Sequence, residues 1–172
     1  MQKDTLNFTI QKPDASHLNN LAKLHLKVWQ QSYVGIVSAD YLDNLRVEYY
    51  LQLWKSFFQK KKHDQGTFVA LQKNEIIGFV RYGSPREDLE GGEIYALYID
   101  KTFQGQGLGK ALFLKACSEL KCLGYNACYL WVLKANESGR GFYTRMAGKL
   151  GGTRVIEIGS QTLEELKFTY KL

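Results

Sequence analysis

Apolar positions in the first third of the chain recur at helical spacing. Leu18, Leu21, Ala22, His25, Val28 and Trp29 fall every three or four residues between Asp14 and Gln31, which predicts a helix with one buried face and Asp14 as its N-cap. Phe8 to Gln11 ahead of it read as a short strand. Ser38 is placed to cap a second helical region that runs to about Lys62, carries Tyr49, Tyr50, Leu53, Trp54 and Phe57, and breaks near Arg46. The period then shortens. Thr67 to Gln72 and Glu75 to Tyr82 read as strands joined by a turn at Lys73-Asn74, and residues 83–92 (GSPREDLEGG) as a loop. Glu93 to Ile99 (EIYALYI) is strand-like. Leu108, Leu112, Ala116, Leu120 and Leu123 mark one face of a helix that Gly124 ends, while Lys110, Lys115, Ser118 and Lys121 fall elsewhere. Ala127 to Leu133 (ACYLWVL) is apolar nearly throughout, the form of a strand covered on both faces. No linker or internal repeat divides the chain, so residues 1–172 are expected to form a single domain of α/β (α+β) class.

Between the strand at 93–99 and the helix at 108 lies QGQGLGK, residues 104–110. Glycine at 105, 107 and 109 removes the Cβ atoms that keep an anion from the backbone. The helix that follows opens with unpaired N–H groups and a partial positive charge. This is the layout of a phosphate cradle. A dinucleotide loop requires GxGxxG, but counting from Gly105 the sixth position is Lys110; a Walker loop requires GxxxxGK[ST], but its first position would be Gln104 and its last is Ala111.

The spacing left, Q-x-x-G-x-G over Gln104, Gly107 and Gly109, resembles the coenzyme A pyrophosphate loop of the GNAT superfamily of N-acetyltransferases. A second motif of that family is matched downstream by Asn136 and by Gly139-Arg140-Gly141-Phe142-Tyr143, with one helix and one strand between the two motifs. Trp29, Tyr33, Gly35, Ile36, Tyr41 and Leu42 are similar to the helix-loop-helix entry of bacterial members. Gly151 to Ile158 and Leu163 to Tyr170 resemble the closing hairpin. The resemblance implies a central mixed, mostly antiparallel sheet of about seven strands flanked by about four helices, and acetyl-CoA as co-substrate.

The same resemblance implies roles for particular residues. Gln104, Gly105, Gln106, Gly107, Leu108, Gly109 and Lys110 are expected around the phosphates, with Gln104 closing the loop. Leu97, Tyr98 and Ile99 are expected to meet the pantetheine arm through their backbone, and Asn136 through its amide. Tyr143 is the expected partner of the leaving sulfur, and Glu93, at the start of the strand, the expected base acting through water. Trp29 and Tyr33 are expected to shape the acceptor site. An acceptor amine of pKa near 10.4 is neutral at pH 7 in about one molecule in 2,500, a cost of roughly 4.6 kcal/mol. A positioned base contributes about 10²- to 10⁴-fold, comparable with that cost.

Composition narrows the classes further. The chain has 172 residues, 45% of them hydrophobic, and no apolar run approaches a membrane span. The N-terminus lacks the pattern of a signal peptide, so a cytoplasmic location and no membrane partner are expected. The three cysteines, Cys117, Cys122 and Cys128, lack CxxC spacing and are expected to be reduced and buried. The histidines are scattered, and no metal site is expected. The formal charge of +6 has one dense run, Lys60-Lys61-Lys62-His63, which suits the end of a helix better than nucleic acid.

Three readings follow: transfer of an acetyl group to a primary amine of a small molecule, or of a peptide or protein; a coenzyme A-binding regulatory module without turnover; and a nucleic-acid-binding domain suggested by charge alone. The first accommodates every motif, and both Asn136 and Tyr143 argue against the second. A homodimer is also allowed, since the closing strands could pair across subunits.

Overall fold

The computed structural model describes residues 7–60 and 62–172. Within them the helical periodicity of the first third becomes α1 (Leu18–Ser32), α2 (Ala39–Asp43) and α3 (Val47–Gln59). Asp14 caps a 3₁₀ turn at Ala15–His17 that leads into α1, its carboxylate accepting from Ser16 N at 2.9 Å. Ser38 Oγ caps α2 by accepting from Tyr41 N at 3.3 Å. The break expected near Arg46 falls between α2 and α3. Helix α3 ends at Gln59, short of Lys62, and Lys61 of the basic run lies outside the described residues.

The strands are β1 (Thr9–Gln11), β2 (Gln65–Gln72), β3 (Glu75–Gly83), β4 (Gly92–Ile99), β5 (Ala127–Leu133), β6 (Lys149–Ile158) and β7 (Gln161–Lys171); α4 (Leu108–Cys122) joins β4 to β5, and α5 (Glu137–Arg145) follows β5. They form one seven-stranded sheet in the order β1-β2-β3-β4-β5-β7-β6. Every neighbouring pair is antiparallel except β4 with β5, whose connection through α4 is the crossover that parallel strands need. Lys73 and Asn74 both take positive φ, 48° and 67°, the backbone of a two-residue type I′ hairpin.

The sheet is packed on both faces. On one, Leu108, Leu112, Phe113, Ala116 and Leu120 of α4 meet Ile77, Ile94, Cys128, Leu130 and Phe168. On the other, Leu21, Ala22, Leu24 and Val28 of α1 and Tyr50 and Trp54 of α3 meet Val69 and Phe79. Each leucine buried in full contributes about 1.5–3 kcal/mol, so the α4 stripe alone holds that helix firmly beneath the loop at 104–109. A third cluster, Val37, Leu42, Leu133 and Ile158, ties α2 to the far ends of β5 and β6.

The cysteines depart from expectation at one position. Cys128 is buried, Cys117 is half-buried with its Sγ 3.9 Å from that of Cys128, and Cys122 is exposed. Cys122 occupies the last turn of α4, off the stripe that faces the sheet.

Candidate active site

Strand β4 carries one residue too many for its partner. Tyr82 pairs with Ile94 and Arg81 with Ala96, so Tyr95 is bulged. Its pairing with β5 is confined to Gly92 with Cys128 and Glu93 with Tyr129. Beyond that point the two strands part, and the β5-facing edge of β4 from Ile94 to Ile99 is left open. The pleat places Ile94, Leu97 and Ile99 on the α4 side and Ala96 and Tyr98 on the α1 and α3 side. The open edge therefore has backbone groups free for a ligand between two apolar layers.

The fork opens onto the glycine loop, which is built by short-range bonds. Asp100 N donates to Ile77 O at 3.0 Å, and the Asp100 carboxylate accepts from Thr102 N at 3.2 Å, Thr102 Oγ1 at 3.0 Å and Lys27 Nζ at 2.5 Å. Burial pushes the Asp100 carboxyl up, but the Lys27 and Thr102 bonds outweigh it and hold the group below its usual range. Gln104 Nε2 donates back to Ile99 O at 3.2 Å and Gln106 Nε2 to Thr102 O at 3.3 Å. Both glutamines thus brace the loop from within.

Gly105 and Gly107 take φ of +74° and +84°, and a Cβ on either would meet no protein atom within 4 Å. The space above them is empty of side chains. Gly107 is the N-cap of α4 and no side chain caps that end, so the N–H groups of Leu108, Gly109 and Lys110 have no partner within the helix. Gly109 serves packing instead: a Cβ there would sit 3.3 Å from the Phe142 ring of α5. Lys110 is exposed beside the loop. An open, left-handed turn ahead of an uncapped fifteen-residue helix fits the diphosphate of coenzyme A.

Across the fork, Asn136 Oδ1 accepts from Gly139 N at 2.9 Å and caps α5, which leaves its Nδ2 for another acceptor. Gly139 is required here, because a Cβ would meet that Nδ2 at 2.9 Å. Tyr143 lies one turn on, its ring packed against Phe142 and Phe168 with centroids 5.1 and 5.9 Å apart. The Tyr143 hydroxyl has no hydrogen-bond partner among the described residues. Burial, with Tyr33 and Tyr170 nearby, raises its pKa, so it is a proton donor at neutral pH.

Trp29 of α1 and Tyr33, the residue that caps the end of that helix, reach the same place from the other face. Tyr33 and Tyr98 hydroxyls lie 2.8 Å apart, and the Trp29 ring is 4.7 Å from that of Tyr33. Burial raises both phenols, so the pair is neutral. His25 lies deeper, tilted against Tyr50 and Tyr98, and burial pushes it down to about 3. It is neutral core filling.

Glu93 sits at the closed end of the fork rather than among these groups. It is 1% exposed; Oε1 accepts from Arg86 Nε at 3.0 Å and from Arg86 Nη2, and Oε2 accepts from Arg86 N at 2.9 Å and Tyr129 Oη at 3.2 Å. Four residues separate it from Leu97, about 13 Å along a strand. Sequence reading passed over Arg86 and Tyr129, which lack any local signature, and over Asp100, whose Asp-x-Thr spacing is a legible turn signal. No group of His, Cys, Asp and Glu among the described residues is placed to hold a metal ion, and no described helix is long and apolar enough to cross a membrane.

Comparison with known proteins agrees with this geometry. Residues 27–148 match the model of the acetyltransferase (GNAT) family. The uncharacterized N-acetyltransferase YuaI of Bacillus subtilis (strain 168) is 33% identical over 133 residues, 76% of this chain and 74% of that protein. The spermidine N(1)-acetyltransferase of Thermoplasma acidophilum is 25% identical over 166 residues, 95% of this chain and 99% of that one. A crystal structure of PaiA N-acetyltransferase from Thermoplasma acidophilum in complex with coenzyme A superposes with a TM-score of 0.76 at 23% identity, covering 97% of this chain and 100% of that one. With the loop, the fork and the family model coinciding over most of its length, the chain belongs to the GNAT family of acetyltransferases.

Proposed function

We propose that this protein transfers the acetyl group of acetyl-CoA directly to the primary amine of a small molecule while both are bound. The observation that carries the reading is the fork between β4 and β5, which opens onto the uncapped start of α4 at one end and onto the Trp29–Tyr33–Tyr98 wall at the other. The N–H groups of Gly107 to Lys110 bind the diphosphate, the freed edge of Leu97 to Ile99 aligns the pantetheine arm, and Asn136 Nδ2 donates to its amide. A backbone N–H beyond the bulge stabilises the developing oxyanion. Tyr143 donates to the sulfur as it leaves; its raised pKa makes a hydrogen bond to the thiolate, rather than full protonation, the useful contribution.

Glu93 takes the amine's proton through the hydroxyl of Tyr129, the one phenol bonded to it. Arg86 also binds both carboxylate oxygens, and substitution of Glu93 separates a relay from a brace. A small-molecule acceptor is favoured over a peptide by the relative that matches over nearly its whole length, whose name specifies spermidine. The test is thiol release from acetyl-CoA by purified protein against a panel of amines, with acetyl-CoA binding measured by calorimetry alongside. Binding without release by any amine would leave a coenzyme A-binding module.

A further inference from the structure

The sheet face that carries Tyr98, Tyr129 and Trp131 also carries ion pairs that close on one another. Glu93 is held by Arg86; Glu165 accepts from Arg154 Nε at 2.7 Å, and Glu87 pairs with the same guanidinium. Each carboxylate is therefore matched. Among the described residues, two cations of this face are not. Lys167 Nζ stands 5.9 and 5.7 Å above the rings of Tyr129 and Trp131 with no carboxylate bound, and Arg81 has none either.

Arg81 is the more constrained. It lies on β3 opposite Ala96, beside the bulged Tyr95, with its guanidinium carbon 3.3 Å from the Phe57 ring centroid and 5.6 Å from that of Tyr95. The rings satisfy the π faces of the cation but not its N–H donors, which lie in the plane. Its Nε is buried without a partner, and no described residue accepts from its other nitrogens. Burial, and more weakly Arg86, push the group down to about 10, so it is still charged at neutral pH. A guanidinium stacked on Phe57 with Tyr95 beside it, opposite Ala96 and so three residues past the last β4–β5 pair, with no acceptor on its donors among the described residues, is a preformed oxyanion site.

We propose that Arg81 recognises a carboxylate on the acceptor, so that the amine acetylated at the fork belongs to a molecule carrying a negative charge as well. The inference rests on the transferase reading above and narrows it. Spermidine, the substrate in the name of one relative, is a polycation and would bring only like charge to Arg81 and Lys167.

The experiment uses ω-amino acids of two to six carbons, the amides of the same acids, and spermidine, assayed for kcat/KM with acetyl-CoA. At least one amino acid is expected to exceed its own amide by about 10- to 100-fold, the worth of one charge-assisted hydrogen-bond pair. Arg81→Gln should remove that advantage, leaving kcat/KM for the amide within about twofold and the acetyl-CoA Kd unchanged; Arg81→Lys should keep part of it. Equal loss on acid and amide would show that Arg81 only packs between its rings, and preference for amides or spermidine in the unaltered protein would overturn the proposal outright. Calorimetric titration of the coenzyme A complex, which has no acetyl group to give, with the amino acids and amides reads the site without turnover. Carboxylate-selective binding abolished in Arg81→Gln sustains it even if no acetyl group moves, a result that would sink the transferase reading alone; no selectivity in binding or turnover sinks the carboxylate site.

Discussion

Replacing Gly107 by valine separates ligand exclusion from folding, because the site offers the new side chain space but the wrong backbone. Gly107 has φ +84° and nothing within 4 Å of an added Cβ, so valine clashes with no protein atom. Its cost is the left-handed conformation, about 1–2 kcal/mol. A domain of this size loses about 2–4 °C of Tm per kcal/mol, so a fall of about 2–8 °C is expected. Gly124, at φ +93° and equally open, supplies a matched control beyond the other end of α4. Gly124→Val should lose the same stability and bind acetyl-CoA normally. At Gly107 the valine methyls fill the space the diphosphate needs. Losing two charge-assisted bonds from the loop N–H groups, at about 1.5 kcal/mol or more each, raises the Kd by at least about 150-fold. Calorimetry on both variants, with Tm measured by differential scanning, gives the comparison. Should Gly107→Val stay folded and bind acetyl-CoA within threefold of the unaltered protein, the cradle is not where the phosphates lie.

Tyr143→Phe removes a hydroxyl that bonds to no described residue, so stability should hold while kcat falls about ten- to a hundredfold at unchanged acetyl-CoA affinity; an unaltered steady-state kcat takes Tyr143 out of the mechanism. Glu93→Gln is expected to lower kcat by about 10²-fold or more, with Tyr129→Phe comparable, whereas normal kcat in a merely destabilised Glu93→Gln protein would show that the carboxylate only braces Arg86. His25, with a folded pKa of about 3, binds fewer protons folded than unfolded between pH 3 and 6.5, so stability is full above pH 6.5 and falls as pH drops through that window. The loss by pH 5 is about 2 kcal/mol. Urea midpoints against pH should be shallower for His25→Leu than for the unaltered protein over this range, and parallel curves would contradict the assignment.

The parts of this molecule that sequence made legible are those whose signals are local. The stripe of α4, the two-residue turn at Lys73-Asn74, the cap at Ser38 and the loop at 104–110 each depend on residues within a few positions of one another, and each lies where it was expected save Leu123, expected on the stripe but exposed at the C-cap. Asn136 shows the limit. Its spacing after β5 was readable, but that its Oδ1 is committed to Gly139 N, leaving Nδ2 alone for a ligand, depends on how α5 begins. Cys122 shows another, since a half-turn of helical phase decides between core and solvent.

Residues that give the acceptor face its character come from distant parts of the chain and share no pattern. Arg81, Arg86, Tyr129, Arg154 and Glu165 become neighbours only because β4 pairs with β3 across a bulge while its other edge abandons β5. The bulge at Tyr95 does two things at once. It lies where the edge of β4 parts from β5, which leaves backbone groups unpaired beyond Glu93, and it places Tyr95 beside Arg81. In the proposed reaction one irregularity would both free backbone for the cofactor and set the charge presented to the incoming amine. Deleting the bulged residue, rather than changing its side chain, is the perturbation that should abolish acetyl-CoA binding and acceptor preference together: Ile94 and Ala96, already on opposite faces, would become neighbours in a regular strand whose edge could pair with β5 and close.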